Sequence, residues 1–121
     1  MIILIADDEQ PVRSLIRSFL EDKYIVLEAM DGESAVDMAR RYEPDIILMD
    51  IMIPKMSGYA ACSAIKTDPV TKGIPVVMLT GPGHELDKKH AKAMGADGYI
   101  TKPFRLQDLE KTSGRFLKSP N

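Results

Sequence analysis

Four short apolar segments of the chain are each followed by a polar residue. Continuous runs of branched aliphatic residues are typical of strands that are buried on both faces, as in a parallel sheet. The segments and the residues after them are Ile2–Ala6 with Asp7 and Asp8, Ile46–Met49 with Asp50, Val76–Leu79 with Thr80, and Tyr99–Thr101 with Lys102 and Pro103. Ligands bind beyond the carboxyl ends of the strands in such a sheet. The pattern therefore predicts one cleft that holds three carboxylates, a hydroxyl and an amine.

Segments with helical periodicity separate these strands. A first helix begins at Gln10-Pro11, where proline suits the first turn, and its apolar stripe is Val12, Leu15, Ile16, Phe19 and Leu20. A further strand is predicted over residues 24–29. Asp31 is expected to cap a second helix whose inner face is Ala35, Met38, Ala39 and Tyr42. Ser57 is expected to cap a third helix that runs to Thr67.

The remaining elements complete an alternation of strands and helices. A short fourth helix is predicted around Leu86 to Met94, ending at Gly95, and a fifth helix carries Leu106, Leu109, Phe116 and Leu117. The predicted fold is therefore α/β, a (βα)5 doubly wound, five-stranded parallel sheet with right-handed crossovers. The 121 residues are expected to form a single domain, with residues 118–121 as a linker or a frayed tail.

Composition limits the classes of function. The net charge of −2 and the pI near 5.7 do not favour direct binding to nucleic acid. No apolar stretch approaches the roughly 20 residues that span a bilayer, and Met1 leads directly into the first strand. We therefore expect no membrane segment and no signal peptide, and the predicted location is cytoplasmic. The lone Cys62 agrees with a reducing compartment and is expected to pack as a small apolar residue.

The three carboxylates predict a metal site. Asp7, Asp8 and Asp50 cannot all be ionised within a few ångströms of one another without a cation, because like charges raise one another's pKa. Mg²⁺ prefers carboxylate oxygen and often bridges a substrate phosphate. A carboxylate beside Mg²⁺ and a lysine can accept a phosphoryl group as an aspartyl-phosphate. Lys102 and Thr80 are placed to neutralise and bind the phosphoryl oxygens.

Four segments, taken together and in order, resemble the receiver domain of bacterial two-component response regulators. They are residues 5–9, 48–58, 75–80 and 95–104. The resemblance implies a flavodoxin-like sheet with strand order 2-1-3-4-5. It also implies that Asp50 accepts the phosphoryl group, and that Asp7, Asp8, Asp50 and the backbone carbonyl of Met52 hold Mg²⁺.

The resemblance further implies a conformational switch. Thr80 and Lys102 would bind the phosphoryl group, the Lys102–Pro103 peptide bond would be cis, and Tyr99 would be the aromatic side chain that rotates. The surface formed by the fourth helix, fifth strand and fifth helix would then change. A histidine kinase or a histidine phosphotransfer protein would be the donor. The recipient would be a target protein or an effector domain outside this chain, with the receiver a monomer or a phosphorylation-dependent dimer. We lean towards a receiver that acts alone.

The residues also bear on three alternative functions. The first alternative is a receiver-like docking module that works without phosphorylation. Against it, the sequence keeps every residue that the phosphoryl chemistry of a receiver needs. A hydrolase that uses an aspartyl-phosphate would need an Asp-x-Asp motif, whereas Asp7 is followed at that spacing by Glu9. A flavin-binding relative shares the fold, but the acidic loop after the first strand would repel the flavin phosphate. We therefore expect a signalling module that catalyses its own phosphorylation and slow dephosphorylation, and not a metabolic enzyme.

Overall fold

The structure is a computed structural model that describes residues 1–81, 89, 92–103 and 105–116. The predicted fourth helix, Leu86 to Met94, lies mostly outside these residues, and so do the side chains of Leu106 and Leu117 and the tail at 118–121. Among the helices of the described ranges, none has the length and apolar character needed to cross a membrane.

Five parallel strands form one sheet in the order β2-β1-β3-β4-β5. Their bounds are β1 Ile2–Ala6, β2 Ile25–Ala29, β3 Ile46–Asp50, β4 Val76–Thr80 and β5 Gly98–Thr101. The doubly wound fold and its strand order are those predicted, and each of β2, β3, β4 and β5 differs from its predicted bounds by one residue at one end. The register pairs Ala6 with Met49, and Asp50 with Leu79, so neighbouring strands end side by side.

Four helices are present in the described ranges: α1 Gln10–Leu20, α2 Gly32–Tyr42, α3 Gly58–Thr67 and α4 Leu106–Phe116. The last of these, α4, is the predicted fifth helix. The predicted caps are confirmed, because the Asp31 side chain accepts the Ser34 N–H at 2.7 Å and the Ser57 hydroxyl accepts the Ala60 N–H at 3.2 Å. Pro11 lies in the first turn of α1.

Side-chain alternation along the strands divides the core between the two faces of the sheet. Ile3 and Ile5 of β1 pack on the face that α1 and α4 cover, together with Leu109. Leu4 and Ala6 pack on the opposite face, against the small residues of α2 and α3. Cys62 of α3 is fully buried there as predicted, and burial raises the pKa of its thiol to about 11.

The predicted apolar stripe of α1 is partly wrong. The buried residues of the helix are Arg13, Ile16 and Leu20, whereas Leu15 is 46% exposed. The other residues of the stripe pack in the core as predicted, namely Val12, Ile16, Phe19 and Leu20. Arg13 also faces inwards, where its guanidinium meets hydrogen-bond acceptors. Tyr42, predicted on the inner face of α2, is the last residue of that helix and is also 46% exposed.

Two glycines provide a matched test of the packing. A Cβ at Gly58 would overlap the carbonyl oxygen of Asp50 and lie 2.7 Å from the Cα of Ile51, so it would push α3 away from the end of β3. A Cβ at Gly114 would have no heavy atom within 4 Å. We expect Gly58→Ala to destabilise the fold by about 1–3 kcal/mol, the usual cost of overpacking. Gly114→Ala should stabilise α4 by roughly 0.5–1 kcal/mol, because alanine loses less backbone entropy.

Urea unfolding of both variants checks this expectation. Equal midpoints for Gly58→Ala and the wild type would show that α3 can move without cost and would contradict it.

Candidate functional site

Three carboxylates meet at the carboxyl edge of the sheet. Asp7 and Asp8 directly follow β1, and Asp50 is the last residue of β3, which pairs with β1. One carboxylate oxygen from each of the three lies within 4.8 Å of the others. Asp7 is fully buried and Asp50 is 7% exposed, whereas Asp8 faces solvent. The predicted acidic cluster is therefore present.

Lys102 reaches the cluster from the end of β5. Its Nζ lies 3.0 Å from Oδ2 of Asp7 and 3.4 Å from Oδ2 of Asp50. The backbone N–H of Lys102 donates to the carbonyl of Thr80 at 2.6 Å, which fixes where the lysine leaves the sheet. The Lys102–Pro103 peptide bond is cis.

The two predicted switch residues do not join this cluster. The Thr80 side chain is buried, and its hydroxyl donates to the carbonyl of Ile100 at 3.5 Å, towards β5. The Tyr99 side chain is 46% exposed. The structure therefore brings the three aspartates and Lys102 together, while the Thr80 hydroxyl and the Tyr99 ring point elsewhere.

A cleft of about 490 Å³ opens over the carboxylates. Its lining comprises Asp8, Glu9, Asp50, Ile51, Met52, Tyr59, Leu79, Gly81 and Lys102. The Met52 N–H lies 3.4 Å from Oδ1 of Asp50, while the Met52 side chain is 80% exposed at the mouth. Polar and apolar side chains therefore both line the cleft.

Burial and charge change the protonation of the two central groups. Burial is the largest effect on Asp50 and the charge of Asp7 adds to it, so the pKa of Asp50 is raised even though Lys102 and the Met52 N–H act in the opposite direction. Burial alone would lower the pKa of Lys102. The hydrogen bond to Asp7 and the charges of Asp50 and Asp7 outweigh it, so the pKa of Lys102 is raised.

These residues fit a divalent cation. Three ionised carboxylates and one ammonium leave a local charge of −2. The oxygen-only donor set is of the kind that Mg²⁺ prefers. Burial and, to a smaller extent, the charge of Asp7 disfavour the ionised form of Asp50 and raise its pKa. A bound Mg²⁺ would supply compensating positive charge.

Sequence reasoning missed two groups beside the site. Arg13 is 8% exposed, and its Nη1 donates to the carbonyl of Asp7 at 2.8 Å. Tyr59, at the start of α3, lines the cleft. A signal for Arg13 was present, because it lies three and seven residues before Ile16 and Leu20, at helical spacing. Apolar periodicity does not register this spacing, because arginine counts as a polar, solvent-facing residue in such a pattern.

Comparison with known proteins identifies the family to which this doubly wound sheet and its acidic cleft belong. The chain matches the response regulator receiver domain over residues 3–113 and belongs to that family. The resemblance inferred from the sequence is therefore confirmed. The family consists of signalling modules of two-component systems and not of metabolic enzymes, as predicted.

The relatives include a chemotaxis protein and a transcriptional regulator. The chain is 42% identical over 104 residues to the chemotaxis protein CheY of Halobacterium salinarum, and the match covers 85% of each chain. It is 42% identical over 108 residues to the phosphate regulon transcriptional regulatory protein PhoB of Escherichia coli, covering 88% of this chain and 47% of PhoB. The chain thus spans about half the length of the transcriptional regulators that it matches.

A solved structure gives the same result for the fold. The receiver domain of a sensor histidine kinase of Pseudomonas aeruginosa matches with a TM-score of 0.90 at 29% identity, over 98% of both chains. That structure has a magnesium ion coordinated in its active-site cleft.

The raised pKa of Asp50 predicts a pH-dependent cost to stability. A carboxyl whose pKa is higher in the folded than in the unfolded state binds more protons when folded, so stability falls as the pH rises above its ordinary value of 3.8. Asparagine resembles the protonated carboxyl and has no such loss. In EDTA, we expect Asp50→Asn to be more stable than the wild type at pH 7, with the difference shrinking as the pH is lowered towards 4.

Urea unfolding across that pH range measures the difference. Asp37→Asn is the control, because Asp37 is an exposed carboxylate on α2, and it should give no comparable gain. A less stable Asp50→Asn variant at pH 7 would contradict the expectation.

Proposed function

We propose that this protein is a phosphoacceptor switch. Asp50 takes a phosphoryl group from a histidine kinase or a histidine phosphotransfer protein with the help of Mg²⁺. The surface formed by the predicted fourth helix, β5 and α4 then changes and controls a partner. The observation that carries the proposal is the convergence of three carboxylates within 4.8 Å, with the Lys102 ammonium 3.4 Å from Asp50.

The metal site would be built from Asp7, Asp8, Asp50 and the backbone carbonyl of Met52. A Mg²⁺ bound there would supply positive charge beside Asp50 and to the oxygens of an incoming phosphoryl group. The magnesium ion in the cleft of the Pseudomonas receiver domain supports this assignment.

The side chains of this protein supply the nucleophile, Asp50, and a positive charge, that of Lys102. The Asp50 carboxylate opens onto the cleft, where one oxygen can attack the phosphorus while the bond to the donor breaks. Lys102 holds both Asp7 and Asp50 before transfer, and its ammonium can turn to a phosphoryl oxygen afterwards without leaving the cleft. Its raised pKa keeps it protonated before the transfer.

Thr80 and Tyr99 would convert this chemistry into a change of surface. The 3.5 Å hydrogen bond from Thr80 to the Ile100 carbonyl is long, so little is lost when the hydroxyl turns to a phosphoryl oxygen. The space that the hydroxyl leaves could then admit the ring of Tyr99, which is 46% exposed beforehand. A complete shift from 1:99 to 99:1 would need about 5.5 kcal/mol, so partial switching is the expected outcome.

The partners follow from the same assignment. The donor is a histidine kinase or a histidine phosphotransfer protein in the cytoplasm. The recipient is an output protein or an effector domain outside this chain, with the receiver a monomer or a phosphorylation-dependent dimer. The relatives include both a chemotaxis protein and a transcriptional regulator. The output partner is therefore defined by its chemistry, as the protein or domain that binds the switching surface.

Acetyl phosphate labelling tests the acceptor. Incubation of the wild type with acetyl phosphate and Mg²⁺ should add one phosphoryl group to the intact mass, because Asp50 is an activated carboxylate beside a metal site. Asp50→Asn should gain no mass, and omission of Mg²⁺ should reduce the labelling of the wild type by orders of magnitude.

Asp37→Asn is the matched control, since it removes an exposed carboxylate from α2, and it should be labelled like the wild type. Equal labelling of Asp50→Asn and the wild type would place the acceptor elsewhere. No labelling of the wild type would favour the docking module that works without phosphorylation.

The switch is tested at the Tyr99 ring. Photo-CIDNP NMR detects exposed tyrosine rings, so the Tyr99 signal of the wild type should weaken on phosphorylation. Thr80→Ala should still accept phosphate, but its Tyr99 signal should already be weak before phosphorylation and change little afterwards, because the space beside the ring is open in both states. Thr80→Ser keeps the hydroxyl and should behave like the wild type. A Tyr99 signal in Thr80→Ala that equals that of the wild type both before and after phosphorylation would show that the two residues are not coupled.

A further inference from the structure

Every polar group of Asp7 has a hydrogen-bond partner. Its N–H donates to the carbonyl of Ala29 at 3.1 Å, and its Oδ1 accepts the N–H of Glu9 at 2.9 Å. Its Oδ2 accepts from Lys102, and its backbone carbonyl accepts Nη1 of Arg13 at 2.8 Å. Because Asp7 is fully buried, the direction of its carboxylate is fixed by these four contacts rather than by solvent.

Arg13 is itself held from the other side. Its Nε donates to Oε1 of Glu28 at 3.0 Å, and the second oxygen of Glu28 accepts Nε of Arg17 at 2.7 Å. Arg17 also donates to the carbonyl of Val26 at 2.9 Å. A chain of charged contacts therefore runs from the edge strand β2, through α1, to the peptide group that carries the Asp7 carboxylate.

We propose that Arg13 is a positioning residue for the metal site. It fixes the turn from Asp7 to Glu9, so that the Asp7 and Asp8 carboxylates face Asp50 before a cation binds. The inference rests on the proposed function, because it concerns the same Mg²⁺ site. Groups that orient metal ligands commonly affect metal affinity without touching the ion.

The geometry requires arginine at this position. The planar guanidinium offers donors on two edges, one for the Glu28 carboxylate and one for the Asp7 carbonyl. A lysine ammonium is a compact point charge, and it would have to reach both acceptors from a single nitrogen. The Arg13→Lys variant therefore keeps the positive charge near the acidic cluster while it removes the fork.

Arg17 provides a matched control on the same helix. It binds the same Glu28 carboxylate as Arg13 but makes no contact with Asp7 among its described hydrogen bonds. Arg17→Met therefore removes a positive charge and a contact to Glu28 while it leaves the metal turn supported. If Arg13 and Arg17 served only to stabilise the fold through their ion pairs with Glu28, the Arg13 and Arg17 variants would have similar Mg²⁺ affinities.

The test is a MgCl2 titration followed by amide NMR, with urea unfolding in EDTA as the measure of stability. We expect Arg13→Met to weaken Mg²⁺ binding about tenfold, at the low end of the range for orienting groups, because Arg13 acts through the backbone of a ligand residue. Arg17→Met should bind Mg²⁺ like the wild type even if it is equally destabilised. Arg13→Lys should bind Mg²⁺ more weakly than Arg17→Met does.

Equal Mg²⁺ affinities for the Arg13 and Arg17 variants, with the wild type binding normally, would overturn this inference alone. Failure of the wild type to bind Mg²⁺ or to accept phosphate would overturn the proposed function instead. If Arg13→Met does not fold, Arg13→Lys decides the question in the same way. If neither Arg13 variant folds while Arg17→Met does, Arg13 serves the fold, which also overturns the inference.

Discussion

Two carboxylates that are almost withdrawn from water, Asp7 and Asp50, lie beside each other and share one ammonium, that of Lys102. At an effective dielectric constant of about 20, two unit charges no more than 4.8 Å apart repel by at least about 3 kcal/mol. Each fully buried large aliphatic side chain contributes roughly 1.5–3 kcal/mol, and most residues on both faces of the central strands are of this kind. The apolar sheet can therefore hold the carboxylates together, and their repulsion makes the site selective for a cation.

The rest of the carboxyl edge keeps that arrangement in place before any ligand arrives. Gly58 lets the start of α3 approach the carbonyl of Asp50, and its N–H donates to the carbonyl of Ile51 at 2.8 Å. On the other side, Arg13 and the N–H of Glu9 hold Asp7. A site that is already in position loses little free energy to reorganisation when charge develops on a transferred phosphoryl group.

The sequence predicted the strands and the acidic cluster well, because both depend on local patterns. A continuous apolar run identifies a buried strand, and Asp50 at the end of such a run has a position that the sheet determines. The spacing of Arg13 from Ile16 indicates which face of α1 it lies on. The groups that hold it there, the Glu28 carboxylate of β2 and the carbonyl of Asp7, are contacts between elements that apolar periodicity does not predict. The direction of the Thr80 hydroxyl is a choice among staggered rotamers, which periodicity does not address.

Strand order also determines how far a phosphorylation signal would have to travel. Asp50, Thr80 and Tyr99 lie on β3, β4 and β5, which are consecutive neighbours in the sheet. The pairings of Asp50 with Leu79 and of Thr80 with Thr101 bring these strand ends together. A change at Asp50 would therefore have to cross only two strand pairings to reach the Tyr99 ring. Because backbone hydrogen bonds hold those strands together, side-chain rotation is the simplest way to carry such a change, and the buried Thr80 side chain lies on the strand between the two ends of that path.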